Sequence, residues 1–368
     1  MKKVRFGKKK LWILSLTLLS LGVLLLSRLF SSFAEGYSTT AGAAVRFLLG
    51  AATALFPFSL FEILLGLFFL YFIFLLGLGI VSLIRWMEKK EKIPYLRFLT
   101  PALCILLAVA NLFCLGFGPC YFRKSTAENM ALDLTTDEEK VFLAFSALSQ
   151  IINGVADKIP TNEAGESLMP RSLSSVKKEV NAAADSFAAN NSFFQKKGFA
   201  AKTFLSSPLL TYTHISGVYG FFTGEANVNT NYPHFIITAT LAHETCHARG
   251  IAPENECNTL AAFLLMESGD PYLTYCGALF LFDDFYSTCK KLDKERANAI
   301  YRETNPMVQK DFSAYSRFFD PYRGSTASKV ANTTNSAYLQ SMGQSAGIQS
   351  YSMVIELTCA MLQKQNLI

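Results

Sequence analysis

His243, Glu244 and His247 stand in the run His-Glu-Thr-Cys-His, the spacing HExxH, in a chain that has only four histidines. On a helix, residues four apart lie one above the other, so this spacing puts two imidazoles on one face with a carboxylate beside them. Two imidazole nitrogens plus one further donor hold a divalent ion such as Zn2+, and the intervening glutamate then reaches a water bound to the metal. The chemistry implied is metal-assisted hydrolysis, with His243 and His247 as ligands and Glu244 as general base. Zinc is inferred from ligand type, because two imidazoles and a carboxylate also accept other divalent ions.

The surrounding residues must supply the third ligand. Residues 233–248 (PHFIITATLAHETCHA) contain no glycine or internal proline and read as one helix, with Gly250 beyond it as a C-terminal stop. A second helix opens at Pro253 and runs through ENECNTLAAFLLM. Glu254 is its first candidate ligand and Glu256 its rival. Two positions along a helix turn a side chain by about 200°, so only one of them can face the metal. Asn258, one turn after Glu254, is placed to orient a ligand from behind. Cys246 projects about 100° away from His247 on the same helix and reads as packing.

Glu254 with Asn258 resembles the ExxxD pattern of the gluzincin metallopeptidases, with Asn in place of Asp. Glu254 follows His247 more closely than in those enzymes. Gly250 stands where the metzincin pattern HExxHxxGxxH has its turn glycine, but Pro253 occupies the third metzincin ligand position and cannot bind metal. The likeness extends further, through GVYGFFTGEANVN, LAHETCHARGIAPENECNTLAAFLL, YLTYCGALF and NSAYLQSMGQSAGIQSYSMVIEL. These stretches are similar to the bacterial domain-of-unknown-function family 3810, a set of membrane-anchored HExxH proteins. Cys257 stands where related patterns have Ala. The resemblance implies N-terminal transmembrane helices followed by an α-rich, zincin-like metallopeptidase domain of gluzincin type.

The chain has 368 residues, and the excess behind its 51% hydrophobic content lies in the front third. Within residues 1–120, three stretches are apolar enough to cross a bilayer, at about 11–30, 60–85 and 97–118. Lys2, Lys3, Arg5, Lys8, Lys9 and Lys10 precede the first, and Arg85, Lys89, Lys90, Lys92 and Arg97 separate the second from the third. The positive-inside rule then places the N-terminus in the cytoplasm and residues 125–368 outside the membrane. Arg123 and Lys124 lie on the wrong flank for that rule. Residues 31–56 read as a short amphipathic connection against the outer leaflet, since VRFLLGAATALF is too short to span. Much of the +6 net charge is this membrane-flanking lysine and arginine, so it gives no reason to expect nucleic acid. None of the eight cysteines forms a CxxC pair, which argues against a second zinc site or a thioredoxin-like motif.

The outer region, residues 125–368, has mostly helical spacing and reads as mainly α. Helices are expected after the capping pair Thr135 and Thr136, at SSVKKEVNAAADSFAA, and at 271–292, 306–319, 326–341 and 349–365. One β element is expected at 216–224, either an edge that pairs with an extended peptide or a cover for the metal helix. Hydrolysis also needs a donor for the developing oxyanion. Tyr275 and Tyr351 are the candidates, with His214 behind them. His234 reads as a helix-end histidine, and Asp283 and Asp284 as a solvated face. The reading reached is a membrane-tethered zinc metallopeptidase that cleaves peptide or protein substrates near the membrane surface. The alternative is a non-catalytic sensor or scaffold on the same fold, which has no need of Glu244. An intramembrane protease is disfavoured, because the helix before His243 has only about ten residues and cannot cross.

Overall fold

The computed structural model describes residues 8–88, 95–344 and 351–368. Most of the lysines and arginines on which the expected orientation rests, at positions 2–5 and 89–92, lie outside the described residues. The front of the chain forms α1 (Lys8–Leu29), α2 (Ser31–Thr39), α3 (Ala41–Thr53), α4 (Leu60–Met87) and α5 (Tyr95–Leu112). Among the described residues, three helical stretches are long and apolar enough to cross a membrane: Trp12–Leu29, Leu60–Met87 and Phe98–Phe122. Polar contacts tie them together. Ser20 on α1 donates to the Asn111 side-chain oxygen on α5 at 2.6 Å, and the Tyr71 hydroxyl on α4 donates to the Phe98 carbonyl on α5 at 2.6 Å.

Residues 31–53 depart from the expected leaflet-bound connection. They fold as α2 and α3, and the faces they bury meet the end of the third apolar stretch and the remainder of the protein. Arg46 of α3 is only 3% exposed, and its guanidinium donates to the carbonyls of Gly116 and Ser38, each at 2.8 Å. A buried guanidinium needs such acceptors, and they come from folded backbone rather than from a lipid surface. Arg123 has a similar explanation. It pairs with Glu35 of α2 and donates to the carbonyls of Gly250 and Phe193, each at 2.6 Å, so it serves packing rather than orientation of the chain.

After α5 the chain widens into a π-helical turn at Phe113–Phe117 and then tightens into a 3-10 turn at Gly118–Phe122. Next come α6 (Thr126–Met130), α7 (Glu138–Ala156) and α8 (Leu173–Asn190). α7 is capped by Asp137, which accepts from the Lys140 N–H, and not by Thr135 or Thr136. β1 (Lys202–Thr203), α9 (Ser207–Leu210), β2 (Gly217–Gly220) and β3 (Glu225–Val228) follow. The single expected β element is thus a hairpin with a third strand added. The strand order is β1-β3-β2, with β1 parallel to β3, and the hairpin register runs from Gly217 opposite Val228 to Gly220 opposite Glu225.

The remaining elements are helical: α10 (His234–Ala248), α11 (Glu254–Met266), α12 (Pro271–Leu292), α13 (Lys294–Glu303), α14 (Pro306–Phe319), α15 (Thr326–Ser341) and α16 (Tyr351–Lys364). This mainly helical architecture agrees with the spacing of apolar residues. The core forms where α7, α10, α11 and α12 meet, with Phe142, Phe145, Leu241, Phe263 and Phe282 each at most 1% exposed. α10 is apolar on nearly every side because it is surrounded by α8, α11, α12 and the hairpin. That burial holds the HExxH residues rigidly.

Candidate metal centre

α10 presents His243 and His247 on one face, and the turn through Gly250 brings the start of α11 back beside them. Gly250 has a φ of +92°, a conformation open to glycine at little cost. The Nε2 atoms of His243 and His247 are 3.1 Å apart, and Glu254 Oε2 lies 3.2 Å from the first and 3.6 Å from the second. Tetrahedral zinc with ligands at 2.0–2.1 Å requires ligand atoms about 3.3 Å from one another. The three edges of this triangle bracket that value, so the group could hold a metal ion. Glu254 is the first residue of α11, where the positive end of the helix favours a carboxylate.

The charges in the triad point the same way. Burial alone would lower the His247 pKa, but the Glu254 carboxylate outweighs it and raises the imidazole to about 9. Burial raises Glu254, but the two imidazoles overcome this and hold it well below the usual carboxylate range. The three groups together favour a cation at their centre: a proton on His247, or a metal ion in its place. The tautomer is set from behind, where the Ile251 carbonyl accepts from His247 Nδ1 at 2.9 Å, leaving Nε2 as the donor to metal. Cys257 also donates to that carbonyl. The backbone thus does the task expected of Asn258, which bonds none of the three ligands among the described residues.

Glu244 is 5% exposed, and one of its carboxylate oxygens has no hydrogen-bond partner among the described residues. Burial pushes its pKa up, the two imidazoles oppose this, and Glu254 adds to it. A buried carboxylate oxygen left free beside a metal triad suits a proton acceptor. The hairpin presses on it directly. A Cβ at Gly217 would fall 2.6 Å from Glu244 Cγ and 2.6 Å from Thr240 Cγ2, so only glycine lets β2 come this close.

Other residues singled out in the sequence lie elsewhere. Glu256 is buried on the opposite side of α11 and accepts from the Thr126 hydroxyl at 2.6 Å, so it does not join the triad. Tyr275 is fully buried in the core, and its hydroxyl donates to Asp311 at 2.7 Å, so it is a packing tyrosine and not an oxyanion donor. Tyr351 begins α16, but its side chain lies outside the described residues. His214 Nε2 is 3.0 Å from the Tyr322 carbonyl, and it lines a separate cavity with Asp283 and Arg323. His234 accepts from the Met169 N–H and has no contact with the triad. Cys246 is fully buried, as its place on the helix requires.

Three aromatic residues beside the site went unnoticed in the sequence. The Phe117 ring packs edge-on against His247 at 5.9 Å and against Tyr121 at 5.6 Å. Tyr121 in turn packs edge-on against Tyr338 of α15 at 5.9 Å. Burial, with a contribution from the Glu254 carboxylate, pushes Tyr338 up to about 12, so it is a neutral hydroxyl donor near neutral pH. No spacing rule connects residues 117, 121 and 338. The one signal was that Tyr338 falls within the NSAYLQSMGQ stretch of the family resemblance.

No curated protein and no solved structure matches the chain. A family profile does, over residues 37–359, which include α3, the triad and most of α16. The chain therefore belongs to the family described as Protein of unknown function (DUF3810).

Proposed function

We propose that this protein is a membrane-tethered zinc metallopeptidase with a zincin-like domain, acting on peptides or proteins at the membrane surface. One observation carries the reading. Three nitrogen and oxygen atoms of His243, His247 and Glu254 converge at tetrahedral spacing, with an unbonded carboxylate oxygen of Glu244 buried beside them. A zinc ion held there supplies a Lewis acid and lowers the pKa of a bound water to about 7.

The chain's own residues then divide the work. Glu244 takes the proton from the attacking water and returns it to the leaving amine. β2 is one of the two outer strands of its sheet, and its first residue, Gly217, lies against Glu244. An extended peptide pairing along β2 would be guided past that carboxylate. Tyr338 replaces Tyr275 as the candidate hydroxyl donor to the oxyanion. The basic clusters before the first apolar helix and between the second and third support an N-terminus in the cytoplasm and a site on the far side.

The test is elemental analysis of the full chain purified in detergent, followed by peptide cleavage assays. One zinc per chain is expected in the wild type, in Glu256→Gln and in Glu244→Gln, and loss of zinc in His243→Ala and Glu254→Ala. Cleavage should disappear in Glu244→Gln although its metal is retained. A folded wild type that holds zinc and cleaves no member of a broad peptide library would favour the sensor or scaffold reading. A folded wild type without metal would remove the site.

A further inference from the structure

Leu55, Leu205 and Leu209 are 82%, 75% and 74% exposed. Single exposed leucines need no explanation, but these three are tied to one place. The backbone N–H groups of Leu205 and Ser206 donate to the Glu62 carboxylate, at 2.8 and 2.7 Å, in the first turn of α4. Lys202 donates to the carbonyls of Thr53 and Phe58, at 2.7 and 3.0 Å, which bracket the loop carrying Leu55 and the exposed Phe56. The Phe204 ring packs against Phe61, also in the first turn of α4. The 202–206 strip and the 54–58 loop are thus anchored at the level where α4 begins. α4 then runs on as an apolar helix of 28 residues.

Beside this apolar rim lies a cavity of about 260 Å³, lined among others by Thr53, Phe56, Pro57, Lys177, Lys178 and Lys202. Lys202 is paired with Glu225. Lys177 and Lys178 have no carboxylate partner among the described residues, so three lysines face one glutamate. Burial, then the charge of Lys202, holds Lys177 below its ordinary pKa. Its ammonium is therefore partly desolvated and uncompensated, a state that an anion relieves. An anionic group with apolar chains attached matches both halves of this face.

We propose that this face of the protein seats in the bordering leaflet of the bilayer. Leu55, Phe56, Leu205 and Leu209 enter the acyl boundary, and the Lys177–Lys178–Lys202 cavity takes the phosphate of an anionic phospholipid. The inference rests on the reading of α4 as a membrane span. Its consequence is that the triad is held at a fixed height above the lipid, because β2 and β3 connect the two places. Gly220 packs on Phe61, and Glu225 accepts from the Leu60 and Phe61 N–H groups.

The experiment uses the full chain in vesicles of phosphatidylcholine and phosphatidylglycerol, with and without brominated acyl chains, in a Trp12→Phe, Trp86→Phe background. Single tryptophan reporters replace Leu205, Leu209, Phe69 in the middle of α4, and Leu143 on the outer face of α7. Bromine is expected to quench the reporters at 69, 205 and 209 and to spare the one at 143. Quenching at 69 without quenching at 205 and 209 overturns the seating alone. No quenching at 69 overturns the span and the seating together. For the cavity, native mass spectrometry should show phosphatidylglycerol retained over phosphatidylcholine in the wild type. That preference should be lost in the Lys177→Ala, Lys178→Ala double variant. An undiminished preference, or displacement of the lipid by inorganic phosphate, overturns the headgroup assignment.

Discussion

Two tyrosines carry opposite expectations, and they separate chemistry from packing. Tyr338 packs edge-on against Tyr121 and lies within the electrostatic reach of Glu254. Tyr338→Phe should therefore lower kcat by about 100-fold, the usual effect of removing one oxyanion donor, while zinc content and KM change little. A variant with kcat intact would return Tyr338 to the packing class. Tyr275→Phe removes the hydroxyl that serves buried Asp311 and should cost about 1–3 kcal/mol of stability, read from denaturant unfolding, with metal and turnover unchanged. The difference between these residues marks how far the sequence could be read. His243, Glu244 and His247 were legible because ligand geometry on a helix is fixed by spacing alone. Spacing left Glu254 and Glu256 as rivals, since both are chemically able, and it is the turn through Gly250 that brings Glu254 beside the two histidines. Tyr338 could not be reached by spacing, because α15 arrives at the site through tertiary packing from 91 residues beyond His247.

At the scale of elements, helices were legible and their surroundings were not. Apolar periodicity located α7, α10, α12, α14 and α15, yet it could not say that α2 and α3 turn back to cover the domain, because a buried arginine such as Arg46 reads as a surface residue until its acceptors are known. The same blindness affects α12, where Asp283 and Asp284 looked like a solvated face. Asp283 is exposed, but burial, with a smaller push from Asp283, raises Asp284 to about 6. The unfolded chain titrates near the model-peptide value of about 3.9. A carboxyl whose folded pKa is raised stabilises the fold fully below the unfolded value, and that contribution is lost as pH rises to the folded one. Stability should therefore fall between about pH 4 and pH 6 on account of this group. Asp284→Asn should remove that loss, raising unfolding free energy by about 1–3 kcal/mol at pH 7 and by little at pH 3.5. Parallel denaturant titrations of both proteins at the two pH values decide it, and an equal difference at both would exclude ionisation as the cause.

On the scale of the whole molecule, the apolar front and the helical remainder fold against each other. Read along the sequence, a boundary near residue 120 is natural, since hydropathy drops there. In space the main core is built from residues 127 onward, yet buried contacts cross that boundary at several points. Phe117 backs the His247 ring, Arg123 ties Glu35 of α2 to the carbonyls of Gly250 and Phe193, and buried Glu225 accepts from the first N–H groups of α4. A chain starting at Ser125 would lose all of these at once. Each buried polar group left without its partner costs about 1–3 kcal/mol, and several such losses approach the 5–15 kcal/mol that holds an ordinary domain together. The loss also falls beside the Gly250 turn that aims Glu254 at the two histidines. The fragment 125–368 is therefore expected to lack a cooperative unfolding transition and to bind zinc far more weakly than the full chain, although it keeps all three ligands. Thermal unfolding by circular dichroism and zinc titration on both proteins check this together. A fragment that melts cooperatively and binds one zinc as tightly as the full chain would show that the triad needs no support from the apolar front. Weak binding by a fragment that still melts cooperatively would assign that support to Phe117 and Arg123 at the metal turn.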